Sequence, residues 1–307
     1  MKKRILTTLL IASMALSASA CGSGKSNSKP NAEASSNTET SGSEVVSETE
    51  TIAVVVPSEA SISEQQLFDQ DGIVITATGL KSDGVFGPEI SVLIENNSDK
   101  NITVQTRNGS VNGYMMDLQI SSDVASGKKT NDSIILMENV LERCNIDMIS
   151  DIEFSLHIFD SESWETIVDT EMIRIDTSAA GTFDQVYDNS GNVVYENNGI
   201  RIISKDFLED GVFGPEQYLY IENNSGQNIV VQTRNTSIDG YMVDTVISSE
   251  ILSGKVRIDA MTFMRTDIET NGITNIETIE TSFAILNADN FETIEETAPI
   301  SISVNQQ

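Results

Sequence analysis

The residues able to do acid–base or nucleophilic chemistry are few and scattered. His157 is the only histidine, and Cys21 and Cys144 are the only cysteines. Nucleophilic catalysis needs a base beside the nucleophile. His157 falls between Leu156 and Ile158 in an alternating run, which predicts a solvent-facing strand position. Cys144 sits beside Arg143, and is expected as a lone, partly buried thiol without a reactive role. Two cysteines this far apart in kind and place make no disulfide framework, and the sequence has no Cys/His cluster of zinc-ligand spacing. Gly84-Val85-Phe86-Gly87 lacks the lysine and following helix of a phosphate cradle. Its glycines are expected to permit a tight crossing between strands. Asp160, Glu162 and Glu165 share one turn and offer oxygens of the kind hard cations take. Without EF-hand spacing, the turn reads as a solvated hairpin tip. These residues predict neither an enzyme nor a bound metal or cofactor.

The strongest pattern is an internal repeat. Asp83-Gly84-Val85-Phe86-Gly87-Pro88-Glu89 returns letter for letter as Asp210-Gly211-Val212-Phe213-Gly214-Pro215-Glu216, an offset of 127 residues. At the same offset Ile94–Ser98 returns as Ile221–Ser225, Val104–Asn108 as Val231–Asn235, and Gly113-Tyr114-Met115 as Gly240-Tyr241-Met242. The alignment runs without insertion or deletion. It pairs a polar set, Asn96, Asn97, Gln105, Arg107, Asn108, Tyr114 and Asp117, with Asn223, Asn224, Gln232, Arg234, Asn235, Tyr241 and Asp244. Arg107 and Asp117 are placed to pair across neighbouring strands. Two readings stand side by side. One is turn chemistry plus a buried pair. The other is a partner face in which Arg107, Tyr114 and Asp117, with Arg234, Tyr241 and Asp244, surround an aromatic anchor.

The elements that must position these residues are strands. Ile73, Ile75 and Ala77 alternate with less apolar positions, as do Ile90, Val92 and Ile94, then Ile102, Val104 and Thr106, then Ile152, Phe154, Leu156 and Ile158. Asp71-Gly72, Gly87-Pro88 and Asn96-Asn97-Ser98 punctuate them as turns. Glu138–Ile149 reads as a short helical or irregular crossover, and Gln185-Val186-Tyr187 as a partner for Val193-Val194-Tyr195. About seven short strands per repeat of roughly 110 residues give an all-β chain of two tandem, Ig-like antiparallel β-sandwiches. The expected divisions are a leader at 1–20, a linker at 21–66, repeat 1 at 67–177, a connector at 178–193 and repeat 2 at 194–304.

Charge and the N-terminus bear on location. With 18 Lys and Arg against 47 Asp and Glu, the chain should not bind nucleic acid or anionic lipid through a basic surface. Met1-Lys2-Lys3-Arg4, an apolar run from Ile5 to about Leu16, and Ala18-Ser19-Ala20-Cys21 follow the order of a secretory leader. This stretch resembles the lipobox of bacterial lipoproteins, which implies a diacylglyceryl group on Cys21, with palmitate-type chains, as a membrane anchor. Each buried CH2 of such chains is worth about 0.8 kcal/mol. The Ser-, Asn-, Thr- and Glu-rich stretch that follows is a disordered tether by composition. Leader, Cys21, tether and repeated β-modules together resemble the tandem Ig-like surface lipoproteins of Firmicutes, a family that implies no activity. The resemblance implies a lipid-anchored protein on the extracytoplasmic face of a bacterial membrane. It is expected to act as a binding module for an envelope or extracellular protein, or as an accessory or sensing subunit of an envelope transporter or enzyme.

Overall fold

A computed structural model describes residues 60–304, all within one compact unit. Cys21, the leader and most of the tether lie outside the described residues.

Repeat 1 contributes β1 (Gln65–Gln70), β2 (Ile73–Lys81), β3 (Glu89–Asn96), β4 (Ile102–Val111), β5 (Tyr114–Met115), β6 (Ser121–Val124), β7 (Lys128–Ile135), helix α1 (Glu138–Arg143), β8 (Asp151–Asp160), β9 (Thr166–Asp169) and β10 (Ile173–Asp176). One sheet has the order β1-β2-β3-β7. In the other, β4 pairs with β5 and β6 along one side and with β8 along the other, and β8 carries β9 and β10. The chain crosses between sheets from β3 to β4, from β6 back to β7, and again from β7 to β8. This is the Greek-key path of an immunoglobulin-type sandwich. The period of two does the sorting. In β3, Ile90, Val92, Ile94 and Asn96 are buried while the residues between them face outward.

Repeat 2 follows the same plan with β11 (Asn192–Asn197), β12 (Ile200–Leu208), β13 (Glu216–Asn223), β14 (Ile229–Ile238), β15 (Tyr241–Met242), β16 (Thr245–Val246), β17 (Ser248–Ile251), β18 (Lys255–Phe263), helix α2 (Arg265–Thr270), β19 (Thr278–Asn287), β20 (Thr293–Glu296) and β21 (Ile300–Ser303). The first sheet runs β11-β12-β13-β18, and β14 with β19 forms the spine of the second. The expected all-β tandem sandwich is what the chain forms.

Local departures have physical causes. The first strand of each repeat begins at Gln65 and Asn192, two residues before the expected starts, because backbone pairing with β2 and β12 continues past the apolar pattern. Gln185–Tyr187 does not pair with Val193–Tyr195. β11 bonds to β12 instead, and Tyr187 donates its hydroxyl to the Asn112 carbonyl at 3.0 Å.

The repeats are not separate bodies on a string. β5 of repeat 1 lies parallel to β18 of repeat 2, with Tyr114 opposite Val256 and the Val256 amide donating to the Gly113 carbonyl at 3.2 Å. Ile203, Tyr220, Val256 and Ile258 of repeat 2 belong to the core of repeat 1. Met115 of repeat 1 belongs to the core of repeat 2. The connector is tied down as well. Lys205 donates to the Asp188 carboxylate at 2.9 Å and to the Asp188 and Ser190 carbonyls at 3.0 and 2.8 Å. Hydrogen bonds from Ser190, then Lys205, hold the Asp188 carboxyl down at about 2.

Candidate interaction surfaces

Most of the polar residues shared by the repeats build turns. The Asn96 side-chain amide donates to the carbonyls of Lys100 and Val124 at 2.7 and 2.8 Å, and its oxygen accepts from the Ser98 amide and hydroxyl. Asn223 repeats all four bonds with Gln227, Ile251 and Ser225. Both asparagines are fully buried, so every one of these bonds satisfies a group that water does not reach. Asn108 and Asn235 adopt left-handed φ of 54° and 51° at the register shifts of β4 and β14. Asparagine tolerates that conformation better than most side chains.

Arg107 and Asp117 do not pair. Arg107 meets the Asp169 carboxylate at 3.3 Å, because Asp169 on β9 lies alongside the β8 partner of β4. Asp117 instead receives Arg257 of repeat 2 at 3.5 Å. Both do line one cleft of about 520 Å³, open between β4 and the segment leading into β6. Arg234 turns back on its own strand and donates to the Thr233 carbonyl and the Gln232 side chain, each at 2.9 Å.

Tyr114 is no anchor for an outside partner. It is completely buried, edge-on to Tyr187 with ring centroids 5.1 Å apart, and its neighbour Met115 is buried as well. Charges ring this contact. Lys255 donates to Glu153 at 2.5 Å, and Glu153 also accepts from Arg174 at 2.7 Å. Arg143 lies 4.3 Å over the Tyr218 ring and bonds its hydroxyl at 3.2 Å. The counterparts Tyr241 and Met242 are 52% and 63% exposed, and Asp244 is exposed beside them.

The residues weighed for catalysis are held structurally. His157 is buried, not solvent-facing. Its Nδ1 lies 2.6 Å from Asp169 Oδ1 and its ring packs on Phe159, because β8 is covered on both faces from Phe154 to Phe159. Cys144 is fully rather than partly buried. Burial pushes its thiol up to about 12 against the pull of Arg143 and Arg257, which suppresses the nucleophilic thiolate. In the acidic turn, Asp160 accepts the Glu162 and Ser163 amides at 2.9 and 3.2 Å. Asn287 does the same for Asp289 and Asn290, so a neutral amide serves equally well. Among the described residues, no group of three or more His, Cys, Asp or Glu is disposed to hold a metal ion.

The duplicated Gly-Val-Phe-Gly-Pro loop holds an apolar pair out into solvent. Phe86 is 59% exposed and Phe213 71%, with Val85 and Val212 more exposed still. The loop backbone is clamped. The Glu138 amide donates to the Phe86 carbonyl at 2.8 Å and the Leu136 amide to Pro88 at 2.9 Å, matched by Arg265 to Phe213 at 3.0 Å and Phe263 to Pro215 at 2.9 Å. Arg265 also donates to the Gly211 carbonyl at 2.7 Å. Gly87 and Gly214 have φ of 130° and 149°, and a Cβ at either would strike the carbonyl oxygen of Leu136 or Phe263. The glycines therefore serve the close crossing expected of them. Sequence reasoning placed this loop but did not weigh Val85 and Phe86 as a surface. The signal was available: a valine–phenylalanine pair between two glycines has no strand neighbour to bury it.

No family model and no curated protein sequence matches the chain. Solved structures with some likeness include the YadV chaperone, at 11% identity and TM-score 0.22 over 70% of this chain and 92% of that one. A protein of unknown function from Porphyromonas gingivalis W83 matches at 13% identity and TM-score 0.20 over 71% and 89%. Superpositions this loose carry no argument about function.

Proposed function

We propose that this protein is a non-enzymatic binding module, anchored through Cys21 to the extracytoplasmic face of a bacterial membrane, whose two β-sandwiches engage an envelope or extracellular protein. The observation that carries the binding half is the pair of clamped loops, each presenting an exposed Val–Phe pair. Exposed aromatics on a fixed backbone bind at low entropic cost, since little remains to be ordered. Support for a non-enzymatic role comes from the engagement of His157 with Asp169 and the burial of Cys144. The anchor rests on the lipobox resemblance around Cys21 and on the tether composition.

The test uses the whole chain, purified and immobilised, against solubilised envelope proteins. Replacing Phe86→Ser and Phe213→Ser together should abolish retention of at least one specific protein while leaving the β-sheet circular dichroism intact. Retention that survives the double replacement removes the loops from the reading. For the anchor, Cys21→Ser should move the protein from membrane to soluble fractions, and continued membrane association would refute it.

A further inference from the structure

The duplication gives each repeat the same edge, but among the described residues only one of the two edges is covered. In repeat 1 that edge is Tyr114-Met115, and its occupant is the β18 border of the first sheet of repeat 2, with Tyr114 against the outward face of that sheet and Met115 in the core behind it. The occupant supplies Ile203, Tyr220, Val256 and Ile258, with Lys255 reaching Glu153 and Arg257 reaching Asp117. In repeat 2 the aromatic, the methionine and both acids are kept, as Tyr241, Met242, Glu280 and Asp244. All four are exposed. Val246, two residues beyond Asp244, adds exposed aliphatic surface.

We infer that this open edge of repeat 2 docks a β-sandwich module of another protein, one whose outer sheet face is aliphatic and aromatic. Its border strand alternates basic and aliphatic residues, as Lys255-Val256-Arg257-Ile258 does. The inference rests on the binding-module reading and names the kind of partner. The internal contact is the template. An edge carrying the same four groups accepts a surface of the same chemistry, with apolar burial supplying the affinity and the acids at 244 and 280 selecting basic flanks.

A second copy of the same chain is not the fitting occupant. Its repeat 2 face is already spent on its own repeat 1. The equivalent face of its repeat 1 carries Thr76, Leu93, Lys129 and Asn131 where repeat 2 has Ile203, Tyr220, Val256 and Ile258. Lys128 keeps the charge of Lys255, but Leu93 is the one apolar group left of the four, and Lys129 and Asn131 are exposed. A net charge of −29 adds repulsion between copies. These substitutions stop the chain from stacking head to tail, an outcome that a repeat with an open heterologous edge would otherwise invite.

The test restores the missing face within the whole chain. The variant Thr76→Ile, Leu93→Tyr, Lys129→Val, Asn131→Ile carries on repeat 1 the four groups that the edge is inferred to recognise. By sedimentation at micromolar concentration, the natural sequence should remain monomeric. The variant should at least double its weight-average mass, and adding Tyr241→Ser with Met242→Lys should return it to monomer. A folded variant that stays monomeric overturns the inference, and so does association that survives the changes at 241 and 242. Self-association of the natural sequence that is lost with Met242→Lys would replace the foreign module with a second copy. Should the fourfold variant lose its β-sheet circular dichroism, the pair Lys129→Val and Asn131→Ile, confined to exposed positions, makes the same comparison. The Val–Phe loops are untouched in every arm. Failure here therefore leaves their envelope retention as it was, and failure of the loops leaves this assembly as it was.

Discussion

Replacing the same residue in the two repeats separates the covered edge from the open one. Tyr114 is completely buried between the repeats, whereas Tyr241 is 52% exposed. An aromatic side chain buries on the order of 150–250 Å², worth about 5 kcal/mol at ~25 cal/mol per Å². Truncation to alanine at a fully enclosed site also leaves a cavity, and such changes cost about 3–5 kcal/mol. At position 241 roughly half the ring is in water already, and truncation opens the site to solvent and leaves no void. The expected cost there is about 1–2 kcal/mol. Tyr114→Ala should therefore lower stability by two to three times as much as Tyr241→Ala. Because Tyr114 also holds the repeats together, it should split the calorimetric transition into two, while Tyr241→Ala leaves the transition shape unchanged. Equal costs at the two positions, or an unsplit transition for Tyr114→Ala, would refute the reasoning that the first edge is an internal joint.

Other consequences are as direct. Gly87→Ala and Gly214→Ala should each destabilise by at least about 1–3 kcal/mol from backbone conformation alone, before the collision with the Leu136 or Phe263 carbonyl is counted. Urea unfolding midpoints within error of the parent would contradict this. The Cys144 thiol, raised to about 12 by burial, should react with an aromatic disulfide reagent only after denaturation. Rapid native-state labelling at neutral pH would contradict its burial. Burial pushes the Glu153 carboxyl up, but the hydrogen bonds and charges of Lys255 and Arg174 outweigh it and leave the group below its ordinary value. A lowered carboxyl contributes stability that is present above its unfolded pKa and lost as pH falls through the folded one. The melting temperature should therefore fall as pH drops below about 4.5, less steeply in Glu153→Gln. Identical slopes would show that the Lys255–Glu153 contact does not hold the repeats together.

Much of the fold was legible because a period of two and a gapless duplication repeat the same instruction. Ile90, Val92 and Ile94 read as one buried face and are one. The turn role of Asn96 and Asn223 was likewise open to sequence reasoning. Identity between the repeats misled in one respect. Tyr114 and Tyr241 are the same letter in the same local context, yet one is enclosed and the other is in water. What separates them lies elsewhere in the chain, where Thr76, Leu93, Lys129 and Asn131 become Ile203, Tyr220, Val256 and Ile258. All four are outward strand positions, so apolar residues there mark a second buried face. The joint was written in the differences between the copies, and comparing similarities passed over it. His157 was misplaced for a related reason: alternation locates one face of a strand but does not say whether the other is covered. Arg107 found Asp169 rather than Asp117 because pairing depends on which strands become neighbours, which local pattern leaves open.

The joint between the repeats also fixes the two Val–Phe loops in a common frame. Had residues 178–193 been a flexible coil, the loops would sample a range of separations, and a partner with two pockets would meet the second loop at an effective concentration set by chain length. With β5 against β18 and Lys205 gripping Asp188 and Ser190, the pair acts as a ruler of one length. A partner whose pockets match that length gains the second contact almost free of entropic cost, and one mismatched by a few ångströms gains nothing from it. If the loops bind as proposed, spacing is a means of selection in its own right, and loosening the joint would trade that selectivity for tolerance without altering a single residue of either loop.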